Sequence, residues 1–304
     1  MTGMGGHEDA EFRSGFSCFV GRPNAGKSTL TNALVGSKVV ITSDKPQTTR
    51  HAVRGIVNRA DAQLVVVDTP GLHRPRTLLG QRLNDVVRST LAEVDVIGFC
   101  IPADEKIGPG DRFIAAELAE VRAPVVAVVT KTDSVSRDRV AAQLMAVSEL
   151  GEWADIVPVS AASGSQVDVL TDVLVGHLPT GPRLYPDDMT TDNDRDTRIA
   201  ELIREAALEG VRDELPHSIA VTVEELQPRD GRPDLIDVYA TVHLERTSQK
   251  GIVIGHRGAR LKHIGTVART GIEELLGSRV HLNLHVAVES DWQRDPKKLD
   301  RLGF

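Results

Sequence analysis

Residues 21 to 28 read GRPNAGKS, which sets two glycines, a lysine and a serine at fixed spacing along one short loop. Glycines at Gly21 and Gly26 let backbone amides turn inward on phosphate oxygens, and a helix starting there adds partial positive charge. Lys27 is then placed to reach β and γ phosphates, and the Ser28 hydroxyl to meet Mg²⁺. Asn24, Ala25 and Thr29 complete the loop. The pattern carries weight only between a strand and a helix, and here FSCFV precedes it and KSTLTNALV follows.

Four more stretches supply what the loop lacks. DTPG, residues 68 to 71, ends an apolar run, so Asp68 can hold the metal through water and the Gly71 amide can touch the γ phosphate. PQTTR, residues 46 to 50, lies between them on a loop, where Thr49, favoured over Thr48, can complete the metal shell. TKTD, residues 130 to 133, puts Lys131 beside the base and lets Asp133 accept from N1 and the 2-amino group of guanine. Adenine lacks both donors, so such a carboxylate discriminates by ~10⁴ or more. In VPVSAASG, Ser160 closes the set and the Ala161 amide meets guanine O6. Singly these are ordinary loops; together they describe a GTP/GDP site with Mg²⁺, in which Lys27, Thr49 and Gly71 act on the reacting phosphate.

A second glycine loop raises a separate chemistry. IVIGHRGARLKHIG, residues 252 to 265, has no strand of the phosphate-loop kind entering it and no Lys-Ser or Lys-Thr pair. Residues 246 to 272 hold six basic residues and no acidic one. Residues 246 to 304 carry 11 Lys+Arg against 6 Asp+Glu, a net +5, while residues 1 to 245 carry 25 against 37, a net -12. That asymmetry points to a polyanion near the C-terminus. Gly255, His256, Arg257 and Gly258 would clamp the backbone of single-stranded RNA, with Arg257, Arg260 and Lys262 supplying phosphate charge.

These loops need scaffolds. Through residue 178, apolar runs such as QLVVVDTPG and PVVAVVTKTD alternate with helical patterns, the signature of a mostly parallel sheet covered on both faces. A Pro- and Asp-rich stretch follows, then the order α, β, β, α, α, β. The fold class is α/β: a P-loop G domain followed by a smaller α+β module. The expected divisions are a flexible 1-14, a nucleotide domain 15-180, a linker 181-197, an RNA-binding domain 198-290 and a tail 291-304. Asp192, Asp194 and Asp196 resemble the start of a calcium loop, but Thr197 and Ile203 stand where Gly and Glu belong, so a solvated acidic linker is expected. Cys18 and Cys100 sit in apolar runs without C-x-x-C spacing and are expected as buried thiols. No apolar run approaches the ~20 residues of a spanning helix, and no export signal is recognised, so a cytoplasmic protein is expected.

The whole arrangement resembles the Era family among the translation-factor-related GTPases, through PQTTRH, DTPGLH and GHRGARLKHIG, and its second module resembles a type II KH domain. The resemblance implies binding to the 3′ end of 16S ribosomal RNA, a role in small ribosomal subunit maturation, and a monomer with possible peripheral association at the inner face of the membrane. It also implies K⁺ at Asn24, although Asn24 is as readily a loop-bracing amide. One position departs: the base motif usually starts with Asn, and Thr130 lacks that amide, which puts loop bracing in doubt. Leu72 follows DTPG where a Ras-like switch uses Gln to orient water, so hydrolysis is expected to be slow. His73 is a weak candidate base. Two rivals stand: an RNA-binding scaffold whose G domain hardly turns over, and a membrane-surface signalling GTPase using its basic C-terminus on anionic lipid.

Overall fold

The computed structural model describes residues 11–45, 48–71, 77–211 and 215–304. Its first sheet is built from β1 (Arg13–Val20), β2 (Val53–Asn58), β3 (Ala62–Asp68), β4 (Val96–Pro102), β5 (Val125–Thr130) and β6 (Asp155–Pro158). They lie in the order β2-β3-β1-β4-β5-β6, with β2 antiparallel and the rest parallel. Every residue of β3, β4 and β5 is buried, as unalternating apolar strands require when helices cover both faces. Those helices are α1 (Lys27–Val35), α2 (Leu78–Glu93), α3 (Pro109–Leu118), α4 (Arg137–Ser148) and α5 (Val167–Gly176). Two apolar cores result, one around Phe19, Leu30 and Leu170, the other around Phe99, Ile97 and Ile114. Cys18 and Cys100 are fully buried, and burial pushes both thiols up to about 12, so they remain inert apolar side chains.

The second sheet has β7 (Ala220–Arg229), β8 (Arg232–Leu244) and β9 (Arg279–Val288), with β7 antiparallel and β9 parallel to the central β8. Against it pack α6 (Arg195–Leu208), the short α7 (Leu215–Ser218), α8 (Thr247–Ile254) and α9 (Ala259–Leu276), enclosing Ile199, Ile203, Val238, Val242, Ile264 and Ile272. This is a KH domain following a P-loop G domain.

Between the two, the acidic stretch is fastened rather than free. The fully buried Gln63 amide oxygen accepts from the Leu184 and Tyr185 amides, and Ile56 N donates to the Thr190 carbonyl at 2.9 Å. Asp192 pairs with Arg54 at 2.9 Å, and Asp194 caps α6 by accepting from Thr197 N at 2.9 Å. The third, Asp196, makes only an exposed pair with its neighbour Arg195 at 3.6 Å.

The expected tail is also folded. Trp292–Arg294 form a 3-10 turn and α10 (Pro296–Arg301) follows. Trp292 is fully buried with Leu299 and Leu302 against Leu79 and Leu83 of α2. Only a few apolar residues in a charged window do this packing, too few to show a period in the sequence.

Candidate nucleotide site and nucleic-acid interface

The phosphate loop turns out of β1 into α1, and Gly26, just before the helix, adopts φ 88°, a conformation that glycine enters without a Cβ penalty. A Cβ on Gly21 would lie 2.6 Å from the Cys100 carbonyl, so that position also requires glycine. Lys27 is 7% exposed, and its Nζ donates to the Gly21 and Arg22 carbonyls at 3.2 and 3.1 Å, curling the loop around its own ammonium. Burial lowers the Lys27 pKa and Asp68 opposes the shift. Thr29 is exposed at the loop's helical end. Pro23, Asn24, Lys27, Ser28, Thr49 and Gly71 line part of a cleft of about 420 Å³.

Ser28, Thr49 and Asp68 arrive from three separate segments and meet. The Ser28 and Thr49 hydroxyls each lie 2.9 Å from Asp68 Oδ2 and 3.0 Å from one another. Asp68 is fully buried, and its Oδ1 has no hydrogen-bond partner among the described residues. Burial pushes its carboxyl upward, while Lys27 and the two hydroxyls pull the other way. A buried carboxylate oxygen without a donor, beside two hydroxyls, is a donor set suited to a hard cation such as Mg²⁺. Thr48 faces elsewhere: its hydroxyl donates to the Lys45 carbonyl. Leu72 and His73 lie outside the described residues.

Asn24 has φ 63°, and its amide donates to the Asp44 carbonyl at 2.7 Å, tying the phosphate loop to the segment that leads to Thr49. On the base side, Ser160 is fully buried and its hydroxyl donates to Asp133 Oδ1 at 2.6 Å, orienting an exposed carboxylate. Ala161 follows at the half-buried start of that loop, and Lys131, at φ 56°, has its ammonium 3.4 Å from Asp104. Thr130 answers the doubt about bracing. Its hydroxyl donates to the buried Ala25 carbonyl at 2.7 Å, so the phosphate loop is braced by a hydroxyl instead of an amide.

The second glycine loop joins α8 to α9. Gly255 and Gly258 have φ 72° and 78°, and Arg257 between them φ 50°. A Cβ on Gly255 would sit 2.7 Å from the Arg260 Cβ, whereas one on Gly258 would meet nothing within 4 Å. Gly255 thus serves the fold and Gly258 leaves room above the loop. His256, Arg257 and Lys262 are exposed.

Arg260 departs from expectation. Its guanidinium turns back and donates to the Glu209 carbonyl at 2.7 Å and the Ala207 carbonyl at 3.4 Å, capping the end of α6. The sequence showed its charge but not its direction. Conversely, Gly265, Thr266 and Arg269 follow Lys262 along one face of α9 and, with His281 and Leu284 of β9, line a groove of about 400 Å³ opening at Gly258. Helical spacing from Lys262 was a signal for those three α9 residues; nothing in the sequence marked the strand's share.

The interface between domains was also unforeseen. Arg50, beside Thr49, is 2% exposed and donates to the Pro216, His217 and Ile219 carbonyls. Its guanidinium lies 5.6 Å from the Trp292 ring centroid and 5.7 Å from that of Phe304, and His51 stacks on Phe304 at 5.0 Å. Burial, then the charge of Arg204, lowers the Arg50 pKa to about 9, which still leaves it charged at neutral pH.

Comparison with known proteins agrees with both halves. The family model described as 50S ribosome-binding GTPase matches residues 16–131 and the KH domain model matches residues 214–293. GTPase Era of Mycobacterium sp. (strain KMS) is 67% identical over 298 residues, covering 97% of this chain and 100% of the relative. That of Streptomyces coelicolor is 66% identical, covering 96% and 95%. Two solved structures, each at TM-score 0.92 and 37% identity and covering 96% of this chain and 99% of the other, are similar throughout. One is an Aquifex aeolicus Era variant bound to GDP.AlF4-; the other is Era in complex with MgGDPNP and nucleotides 1506–1542 of 16S ribosomal RNA.

Proposed function

The chain belongs to the Era family of GTPases, and on that premise we propose that it is a GTP-controlled switch that binds the single-stranded 3′ end of 16S ribosomal RNA during small ribosomal subunit maturation. It hydrolyses GTP to GDP and phosphate. The observation that carries the proposal is the meeting of Ser28, Thr49 and Asp68 at one buried point beside Lys27. Such a meeting lets one nucleotide-bound cation report on three segments at once.

Mg²⁺, held by Ser28, Thr49 and Asp68, would neutralise charge on the β and γ phosphates. Lys27 exchanges its loop carbonyls for phosphate oxygens, the Gly71 amide donates to the γ phosphate, and the loop amides from Asn24 to Thr29 bind the remaining oxygens. Asp133, oriented by Ser160, reads guanine, with Lys131 and the Ala161 amide beside the base. K⁺ near Asn24 is the finer part of the proposal and rests on the family resemblance at that position; the Asn24 amide nitrogen, which donates to the Asp44 carbonyl, would have to release it.

RNA lies along the groove from Gly258 to Arg269, with its backbone over Gly255, His256, Arg257 and Gly258 and phosphate charge met by Arg257 and Lys262. Leu261 and Leu284 supply apolar surface for bases. We place the protein in the cytoplasm as a monomer; any peripheral contact with anionic lipid would use the same basic surface and compete with RNA. Among the described residues no helix is long and apolar enough to cross a membrane.

The test is a titration of single-stranded RNA, matching the 16S 3′ end, against the GDP form and a nonhydrolysable GTP form, alongside multiple-turnover GTP hydrolysis. Tighter RNA binding in one nucleotide state is expected, and linkage then requires RNA to tighten that nucleotide by the same factor. Equal dissociation constants reduce the protein to two independent sites, and absent turnover makes it a scaffold.

A further inference from the structure

Two adjacent residues of the KH domain hold the G-domain segment that carries Thr49. Arg204 and Glu205 lie in the last turns of α6, whose Ile203, Ala206 and Ala207 are buried in the KH core. Glu205 Oε1 accepts from the Thr42 amide at 3.0 Å, and its Oε2 pairs with Lys38 at 2.5 Å. Arg204, 1% exposed, donates to the Thr48 carbonyl and is itself fixed by Glu201 at 2.6 and 2.8 Å. Residues 42 and 48 are thus gripped by one helix, at the two ends of a segment whose next residue, Thr49, touches Asp68 and Ser28.

The same C-terminal end of α6 is tied to the RNA side. Arg260, two residues beyond Gly258, donates to the Ala207 and Glu209 carbonyls at the end of α6. Movement of the loop under a bound backbone therefore pulls on the same helix that fixes residues 42 and 48. A lone surface ion pair contributes little, but here a backbone amide and a backbone carbonyl are held at once, and Arg204 is almost wholly enclosed.

Building on the proposed function, we propose that Arg204 and Glu205 are positioning residues for GTP hydrolysis, acting through residues 42 and 48 on Thr49, and that α6 with Arg260 relays RNA engagement to them. They touch neither nucleotide nor metal ligand directly. Their removal should lower kcat while leaving GDP affinity near wild type, because GDP lacks the γ phosphate that Thr49 serves.

The test compares full-length wild type with Glu205→Ala, Glu205→Gln and Arg204→Met, measuring steady-state GTP hydrolysis with and without short single-stranded RNA, GDP affinity, and RNA affinity of the GDP form. Glu205→Ala and Arg204→Met are expected to lose on the order of tenfold in kcat, the size of one lost hydrogen bond to a part-buried backbone group. Their KM and GDP affinity should change by less than about threefold, and the ratio of rates with and without RNA should move toward one. Glu205→Gln, which keeps an acceptor for the Thr42 amide, should recover most of the loss. RNA affinity in the GDP form checks that the KH domain is folded, and Glu205 keeps the inference testable should Arg204→Met fail to fold. Glu205 variants with wild-type kcat and an intact RNA effect overturn it, as does a fall in GDP affinity equal to that in kcat. If wild type itself does not hydrolyse GTP, the proposed function fails first, which separates the two failures.

Discussion

The Thr130 hydroxyl donates a 2.7 Å hydrogen bond to the Ala25 carbonyl, joining the base-reading end of β5 to the phosphate loop through one buried contact. Thr130→Val keeps the shape and removes the donor, stranding a carbonyl in a site that is 0 to 4% exposed. Stranding it costs about 1–3 kcal/mol. Guanine nucleotide affinity should fall about tenfold, read by titration with a fluorescent GDP. Unchanged affinity would mean that the phosphate loop holds its shape without this brace.

Asp133 receives the Ser160 hydroxyl on Oδ1, which fixes the orientation of its exposed carboxylate. Asp133→Asn can still accept from Ser160, but its amide offers a donor to a 2-oxo group in place of the carboxylate that accepts from a 2-amino group. Preference should move from GTP toward XTP by at least about a hundredfold, given discrimination of ~10⁴ or more at such sites. A competition assay in which the variant still selects GTP would remove Asp133 from the base-reading role.

How much of this could be read beforehand follows from what each residue answers to. The proposed roles of Lys27, Ser28 and Asp68 belong to nucleotide chemistry, which fixes both residue type and spacing, and the all-buried strands β4 and β5 answer to a sheet covered twice. Arg50, Arg204 and Trp292 answer to partners more than 70 residues away, as Arg50 does at Ile219 and Arg204 at Thr48, and no local period records such pairs. Arg260 shows the same limit in reverse: its charge was visible within the basic cluster, yet only the fold reveals that α6 uses it. Thr130 was legible as a departure but not as a repair, because its hydroxyl works on a residue 105 positions back.

His51 stacks on Phe304 at the domain interface. Burial lowers its pKa, with Arg204 and Arg50 adding to the shift and Glu201 opposing it. A histidine whose folded pKa lies below the unfolded value of about 6.5 favours folding while neutral. Its contribution is fully present above that pH and declines as pH falls toward the folded pKa, because the unfolded chain takes up the proton first. Denaturant unfolding between pH 7.5 and 5.5 should therefore show a steeper loss of stability in wild type than in His51→Leu. His243, also lowered by burial, contributes equally to both and cancels. Parallel curves would place His51 outside the pH response.

The Asn24 amide nitrogen donates to the Asp44 carbonyl in this structure, so a cation held by the Asn24 side-chain oxygen would have to replace this hydrogen bond. On the K⁺ proposal, hydrolysis should be faster in KCl than in NaCl at matched ionic strength, and Asn24→Ala should abolish the difference. Equal rates in the two salts, with the variant unaffected, leave Asn24 as a brace alone.

Gly258 and Gly255 separate what the KH loop needs for folding from what it needs for RNA. Both have positive φ, but only at Gly255 would a side chain strike the protein, against Arg260. Gly258→Asp therefore costs the free protein little beyond the roughly 1–2 kcal/mol of a left-handed residue that Asp tolerates, while setting bulk and negative charge on the proposed path of the RNA backbone. RNA affinity should collapse with GTP binding intact, whereas Gly255→Ala should disturb the loop itself. Arg257→Ala and Lys262→Ala, both on exposed side chains, should weaken RNA binding gradually. Each should flatten the log-log salt slope by about 0.7, the value per phosphate neutralised on a single strand. Arg260→Ala supplies the contrast, since its charge is committed to the end of α6: affinity should fall with the salt slope unchanged. If Arg260→Ala flattens the slope as much as Lys262→Ala does, its guanidinium must leave α6 for the RNA, and the relay through that helix would have to be reassigned.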